Sequence, residues 1–380
     1  MNASESPWPF RCSVCARPHP DGGLRYRCPT CNGPFDLDRS IRFAPKPVER
    51  TASPMERYRE SFFLPEAASW ISLGEGDTPL QPARVDGRTV YFKCEYLNPT
   101  GSFKDRGSCV LISALAAAGV AEVFEDSSGN AGASLAAYAA RAGMRARVLV
   151  PESASPRKKA QIAAYGAELI PVQGPRTAVA EAAQREAAGG ATYASHVWIP
   201  LGLAGMATVA FEIVEQLGQA PGAVVLPVGH GTLLLGVARG FEAMRSASTL
   251  ETVPRLIAGQ AAACAPIWAV HQGGGEALGW VREGPTRAEG IRILQPLRGD
   301  AVLSAIEASG GTVVAVDEPS IENGERQLGR RGFYVEPTSA VVWGALEATL
   351  QGLPDPVVII LTGSGLKSPD RQVPKETVNA

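Results

Sequence analysis

From residue 121 onward the chain alternates short apolar runs with alanine-rich helical stretches, and no other feature restricts its fold so strongly. Val123-Phe124-Glu125 reads as a strand, 133–142 as an amphipathic helix closed by Gly143, and 145–150 as a strand ending at Pro151. A helix over 157–165 closed by Gly166, a strand over 169–172, a helix over 178–188 and a strand over 191–195 follow. Strands alternating with helices of about ten residues build βαβ units, hence a parallel sheet and an α/β fold. Two later runs, Ala223-Val224-Val225-Leu226-Pro227-Val228 and Pro356-Val357-Val358-Ile359-Ile360-Leu361, are apolar without interruption, as strands buried on both faces are. In such sheets ligands gather at the carboxyl ends of strands, so those ends are where chemistry is sought.

Three such ends carry unusual turns. Thr89-Val90-Tyr91-Phe92-Lys93-Cys94-Glu95-Tyr96 reads as a strand, Asn98-Pro99-Thr100-Gly101 as a turn, and 109–118 as a buried helix. Lys104 therefore sits where a strand passes into a helix. The positive end of a helix dipole favours a neutral amine, and a neutral amine can attack a carbonyl. The alternative is a surface lysine beside a turn. At the second end, Ser128-Gly129-Asn130 is either a polar ligand cradle or an ordinary strand–helix turn with Asn in the left-handed region. At the third, Gly229-His230-Gly231-Thr232 joins the 223–228 strand to a helix over 233–244. Small residues there let backbone amides approach a phosphate. The loop is neither a Walker A sequence nor GxGxxG.

Asn98-Pro99-Thr100-Gly101-Ser102-Phe103-Lys104-Asp105-Arg106-Gly107 resembles the cofactor-lysine motif of the threonine synthase family. More broadly it resembles the fold-type II (tryptophan synthase beta-like) pyridoxal phosphate (PLP) enzymes, among them serine and threonine dehydratases and cysteine synthase. Similar segments run from Gly74-Glu75-Gly76-Asp77-Thr78-Pro79-Leu80 to Lys367. The resemblance implies two doubly wound α/β domains with PLP between them. The large one would take residues 46–104 and 216–380, and the small one would be inserted at 105–215. It implies that Lys104 carries PLP as a Schiff base, flanked by Phe103, and once freed removes the α-proton. Asn130 would meet the cofactor's 3-hydroxyl. Ser128, Gly129 and Ala131 would hold the substrate carboxylate. Val228, Gly229, His230, Gly231 and Thr232 would cradle the phosphate. Thr362, with Ser364 in reserve, would face the pyridine nitrogen. His230 stands where relatives more often place Asn or Gly, and either touches phosphate or ring or points outward. Glu336, in a segment that resembles one near the family's active site, is either part of that site or a helix N-terminal acid alone.

The first 45 residues differ from the rest. Cys12-Ser13-Val14-Cys15 and Cys28-Pro29-Thr30-Cys31 have the spacing of a four-cysteine zinc ribbon. The intervening Pro18-His19-Pro20-Asp21-Gly22-Gly23-Leu24 offers little apolar surface, so metal is expected to supply the folding energy. Two disulfides are the alternative, which a reducing compartment disfavours. Some threonine synthase-like proteins carry a similar ribbon. Residues 46–72 read as a connecting arm with some helix, anchored by Phe62-Phe63-Leu64-Pro65 and Trp70-Ile71. Cys94, Cys109 and Cys264 lie in apolar company and read as packing residues.

Composition adds bounds. The chain has 380 residues, 45% hydrophobic and 19% charged, enough for two or three domains. A net charge of -2 provides no field for nucleic acid or anionic membrane. No apolar run approaches the roughly twenty residues of a membrane-spanning helix, and no secretory signal opens the chain. A cytoplasmic homodimer acting on a small amino acid, without nucleic-acid or membrane partners, is expected.

One stretch departs from the family. Threonine synthases bind the phosphate of O-phosphohomoserine partly through a segment Asn-Pro-x-Arg-x-Glu-Gly-x-Lys-Thr. Here Ile199, Gly202 and Ala207 replace the asparagine, arginine and lysine. A phosphate dianion stripped of such partners is costly to desolvate. The expected activity is therefore elimination or replacement on a β- or γ-substituted amino acid lacking phosphate. The alternatives are threonine formation with a phosphate site drawn from Arg157, Lys158 or His196, serine/threonine dehydratase activity, or a non-catalytic binding protein. Lys104, Asn130 and the glycine loop weigh against the last.

Overall fold

The structure is a computed structural model that describes residues 8–46, 53–154, 156–174 and 176–367; the side chains of 156–158 are outside that description. In chain order the elements are β1 (Phe10–Cys12), β2 (Phe35–Leu37), β3 (Leu80–Val85), β4 (Arg88–Lys93), α1 (Lys104–Ala117), β5 (Glu122–Glu125), α2 (Asn130–Arg141), β6 (Arg145–Pro151), α3 (Pro156–Ala164), β7 (Glu168–Val172), α4 (Arg176–Ala188), α5 (Leu201–Leu217), β8 (Ala223–Pro227), α6 (Thr232–Ser246), β9 (Arg255–Ala261), α7 (Pro266–Gly273), α8 (Gly299–Ala308), β10 (Thr312–Val316), α9 (Glu318–Gly329), α10 (Pro337–Thr349) and β11 (Val357–Ile360).

The apolar runs at 223–228 and 356–361 become neighbouring central strands. The larger sheet has the order β10-β9-β8-β11-β4-β3, parallel except for the antiparallel edge pair β3–β4. Every residue of β8 and β11 is buried, because helices cover both faces. Between β4 and β8 the chain leaves this sheet and builds a second, wholly parallel one, β5-β6-β7. The strand expected over 191–195 does not extend this second sheet. It makes a single bridge, Tyr193 to Phe124, with amide bonds on either side. Pairing stops there because Ser195 begins the turn into α5, and its carbonyl accepts from the Ile199 N–H.

α5 ties the two sheets together. It packs against both α1 and α6, and its residues from Leu201 through Val214 are buried except Gly202. The approach is close enough that a β-carbon at Gly205 would lie 1.8 Å from the Arg106 carbonyl oxygen. Glycine is required there by contact with backbone, which no side-chain motion relieves.

Beneath these helices lies a closed charge network. Arg106 is fully buried and meets Glu95 at 2.6 Å and Glu212 at 2.7 Å; Lys93, equally buried, meets Glu212 at 2.6 Å. Thr78 Oγ1 donates to Glu95 and the Asp77 amide to Glu212. Two cations face two carboxylates, and the surplus acceptor sites take hydroxyl and amide donors, as a buried ion cluster requires.

The amino-terminal ribbon is not the weakly packed appendage its loop composition implies. Trp8, Phe10, Tyr26 and Phe35 are buried in a core continuous with that of the body. Tyr26 lies edge-on to Tyr193 and Trp198, at 5.5 and 5.1 Å between centroids. Arg239 grips Asp36 through two 2.7 Å bonds, and Arg298 donates to the Phe35 carbonyl. The loop alone lacks apolar surface; the strands flanking it supply aromatics that dock on the body. The arm is anchored as expected, by Phe62 stacked on Trp70 at 5.2 Å.

Candidate active site

α1 begins at Lys104 itself, earlier than the apolar run at 109–118 marks. The polar residues after Lys104 are buried and bonded, so they sustain the helix. Asp105 accepts from the Thr100 amide at 2.7 Å, from Thr100 Oγ1 at 2.6 Å and from Ser134 Oγ at 2.6 Å, tying the turn and α2 to the first turn of α1. Burial raises its carboxyl to about 6. With Arg106 anchored below, the two residues after Lys104 fix where its side chain emerges.

The turn carrying Lys104 is stitched to the loop after β11. The Phe103 amide donates to the Thr362 carbonyl at 3.0 Å, Ser102 bridges Gly363, and the Ser364 amide donates to the Gly101 carbonyl at 2.9 Å. Gly363 leaves room for the Glu336 carboxylate: a β-carbon there would lie 2.2 Å from Oε1. Asn130 Nδ2 donates to both Glu336 oxygens, at 3.0 and 3.1 Å. Glu336 is thus part of this cluster and makes no side-chain cap to α10. Phe103, Lys104, Asn130, Thr362 and Ser364 come together although they lie on separate segments of the chain.

Gly231 at the head of α6 has φ +81° and no side chain caps that helix, so its first amides face outward from a positive dipole end. His230 does not point to solvent: its Nδ1 is buried without a hydrogen-bond partner among the described residues. Thr362 Oγ1 is likewise buried and unpartnered. An amine, an amide donor, an uncapped helix terminus in a glycine loop and two orphaned polar atoms fit a flat, phosphate-bearing aldehyde. Ala131 and Val228 are buried, so only their backbones are available to a ligand. Ser128 and Gly129 form the turn entering α2.

Lys104 is partly buried, with Nζ 4.6 Å from the Phe103 ring centroid. Burial lowers its pKa to about 8, while the charges of Glu125 and Glu336 pull it upward. Glu125 ends β5 and is 1% exposed. Its Oε1 meets His196 Nδ1 at 2.9 Å, and its Oε2 has no hydrogen-bond partner among the described residues. Burial and the adjacent Asp126 push the Glu125 carboxyl well above the usual range. Burial and the charge of Lys104 hold His196 well below 6.5 and His230 down to about 4. Asp126 accepts from Tyr193 OH at 2.8 Å and pairs with Arg176 at 2.7 Å. Reading the chain as strands and turns passes over Glu125, Asp126 and Arg176. The available signal is two adjacent acids at the carboxyl end of a parallel strand, where a core residue and a turn residue are ordinary.

Ile199 is buried, Gly202 lies against the Gly107 backbone, and Ala207 sits in the seam between α5 and α6 beside Gly240. The Arg157 and Lys158 side chains lie outside the described residues. Cys12, Cys15, Cys28 and Cys31 offer sulfur atoms all within 4.8 Å of one another, so this cluster could hold a metal ion, and none of the four is in a disulfide. Burial raises Cys94 to about 11 and raises Cys109 well above the usual thiol value, as inert packing thiols require.

A two-sheet α/β body with a half-buried lysine at one strand–helix turn and a glycine loop at another defines a cofactor-binding enzyme. The model of the pyridoxal-phosphate dependent enzyme family matches residues 71–363, and the chain belongs to that family. Within it the chain is similar to threonine synthases. It is 32% identical to the threonine synthase of Methanocaldococcus jannaschii over 96% of this chain and 94% of the relative. It is 36% identical to that of Mycobacterium tuberculosis over 81% and 87%. Among solved structures it is similar to a T.th. threonine deaminase (TM-score 0.63, 30% identity, 76% of this chain and 92% of that one). Maize serine racemase shares the fold (TM-score 0.62, 23% identity, 73% and 84%). No helix among the described residues is long and apolar enough to cross a membrane.

Proposed function

We propose that the chain catalyses elimination or replacement at the side chain of an amino acid that carries no phosphate. When bound, PLP supplies an electron sink that acidifies the α-C–H bond of an amino acid. Lys104 would hold the cofactor and, as an amine with a pKa of about 8, accept the α-proton near neutral pH. The amides at the head of α6, with Gly229, His230 and Thr232, would take the phosphate. Asn130 and Thr362 would orient the ring. Ser128, Gly129 and the amide of Ala131 at the head of α2 receive the substrate carboxylate. Residues 105–215 act as the inserted small domain, and the active form is a cytoplasmic homodimer. The ribbon holds structural zinc: four thiolates complete a tetrahedron and leave no open position for chemistry. Metal analysis of the purified chain should find about one zinc per chain.

The observation that carries the substrate assignment is the set Ile199, Gly202 and Ala207. One is buried, one is packed on Gly107 and one lies in a helix seam, and none offers a charged donor. Each charge-assisted bond to a phosphate contributes about 1.5–3 kcal/mol, so losing several lowers affinity by orders of magnitude. A second reading, conversion of O-phosphohomoserine to threonine, is favoured by the curated relatives and by Arg176, a cation whose field reaches His196 and His230. The two readings are separated by comparing kcat/KM for O-phosphohomoserine with that for threonine, O-acetylserine and O-acetylhomoserine. Preference for a phosphate-free compound is expected; efficient turnover of the phosphorylated one to threonine sinks the first reading. Borohydride reduction and peptide mapping should place the pyridoxyl group on Lys104.

A further inference from the structure

A short loop joins the ribbon to the candidate site, and it has two faces. Tyr193 and Trp198 face the ribbon, where Tyr26 stands edge-on to both, at 5.5 and 5.1 Å between centroids. From the same loop Tyr193 OH donates to Asp126 at 2.8 Å, and His196 Nδ1 meets Glu125 at 2.9 Å. The Tyr193 ring also stacks on Phe124 at 4.9 Å, beside the backbone bridge between the same two residues. The loop therefore lies between the ribbon and the carboxyl end of β5. A second tie holds its far end: Arg298 donates to the Phe35 carbonyl of the ribbon at 2.6 Å and to the Trp198 carbonyl at 3.2 Å. Beyond Asp126 the chain turns into α2. A β-carbon at Gly132 would lie 1.9 Å from the Ser127 carbonyl oxygen, so any shift of 126–127 is passed to the first turn of α2. Tyr26 makes its contacts through its ring alone, since its buried hydroxyl has no hydrogen-bond partner among the described residues. Removing such a ring leaves a cavity into which its neighbours shift.

We propose that Tyr26 is a positioning residue for the candidate site: from the ribbon it holds loop 193–198 against the end of β5 and so sets the turn 126–131. The inference rests on the reading of that turn as the place that receives the substrate carboxylate. A carboxylate held at a helix head needs several amides aimed at one point, so a loosened turn binds it less well. Lys104 is secured separately, by the bonds from its own turn to the loop after β11. Loss of the Tyr26 ring therefore weakens substrate binding more than it slows the chemistry at Lys104.

The test follows amide hydrogen exchange and steady-state kinetics of the full-length holoenzyme and of Tyr26→Ala and Tyr26→Phe. In Tyr26→Ala, exchange across 124–133 should quicken by about tenfold or more while β8 and β11 keep their protection. Tyr26→Phe keeps the ring and should match wild type. Exchange across 124–133 that stays unchanged in Tyr26→Ala, a rise shared equally by β8 and β11, or a Tyr26→Phe variant that behaves like Tyr26→Ala overturns the proposal. Should Tyr26→Ala fail to fold, Tyr193→Phe decides from the other side of the loop. That variant should quicken exchange at 124–133 and leave the ribbon as it was; no change at 124–133 overturns the proposal. The kinetic arm uses whichever of threonine, O-acetylserine, O-acetylhomoserine and O-phosphohomoserine the wild type turns over. For Tyr26→Ala, KM should rise by about tenfold with kcat within a few-fold of wild type. A turn loosened as expected with KM unchanged supports the hold of Tyr26 on the turn and sinks the reading of the turn as the carboxylate site. Exchange decides the role of Tyr26 whether or not any of the four compounds is accepted.

Discussion

Two buried glutamates in this chain have opposite electrostatic fates. Glu212, on α5, is fully buried between Arg106 and Lys93, with the Asp77 amide at a third position. Burial alone would favour its neutral form, yet the two cations hold it ionised, well below the usual carboxylate range. Glu125, on β5, is as deeply buried, but it faces Asp126, a half-open Arg176 and a lysine that is itself easily deprotonated. There burial prevails and pushes the carboxyl toward its neutral form. Depth does not decide the state of a buried acid; the partners do. The satisfied glutamate ties α5 to α1 and β4, and the unsatisfied one lies within electrostatic reach of Lys104.

The contrast is most exposed to test at its stable side. Glu212→Ala leaves Lys93 with no carboxylate partner and Arg106 with Glu95 alone, and should cost about 3–5 kcal/mol in urea unfolding monitored by circular dichroism. A loss no larger than that of an ordinary surface substitution would mean that the network is not electrostatically coupled.

Stability against pH separates the two glutamates further because the signs differ. The Glu212 contribution is present above its unfolded value of 4.5 and is lost as pH falls from there through its depressed folded value. Glu125 works the other way: its raised folded value means that stability is fully present below 4.5 and declines as pH rises above it. The groups facing it, Asp126, Arg176, Lys104 and His196, shape that decline but do not reverse it. Glu125→Gln should therefore match wild type near pH 4 and exceed it near pH 7, by on the order of 1 kcal/mol. A variant less stable at pH 7 would show that Glu125 is ionised and paired.

The smallest effect belongs to Asp36, an acid held by Arg239 at the ribbon interface with a quarter of its surface open. Asp36→Asn should cost about 0.2–1 kcal/mol, and the loss should shrink in high salt. A cost as large as that at Glu212 would place the ribbon among the determinants of the body's stability.

The features legible in sequence are those written over a few neighbouring residues. Lys104 between an Asn-Pro turn and a helix, the loop 229–232, the two cysteine knuckles and the alternation beyond 121 each carry their chemistry locally, so each could be located from the chain alone. β9 and β10 escape such reading because no motif stands at their ends. The 191–195 run misleads because its apolar residues serve the ribbon contact and a single bridge instead of a ladder. The ribbon's metal-ligand spacing is visible in the chain, while its docking through Tyr26 is not.

Local sequence was thus enough to establish the α/β class, the PLP-family turns and the cysteine cluster. Which acids carry charge became definite only with packing. His196 reaches Glu125 across 71 positions of chain, and Glu212 reaches Arg106 across 106. The free energy of a charge depends on water excluded and partners supplied by segments far apart in the chain, and those terms exist only once the chain is packed.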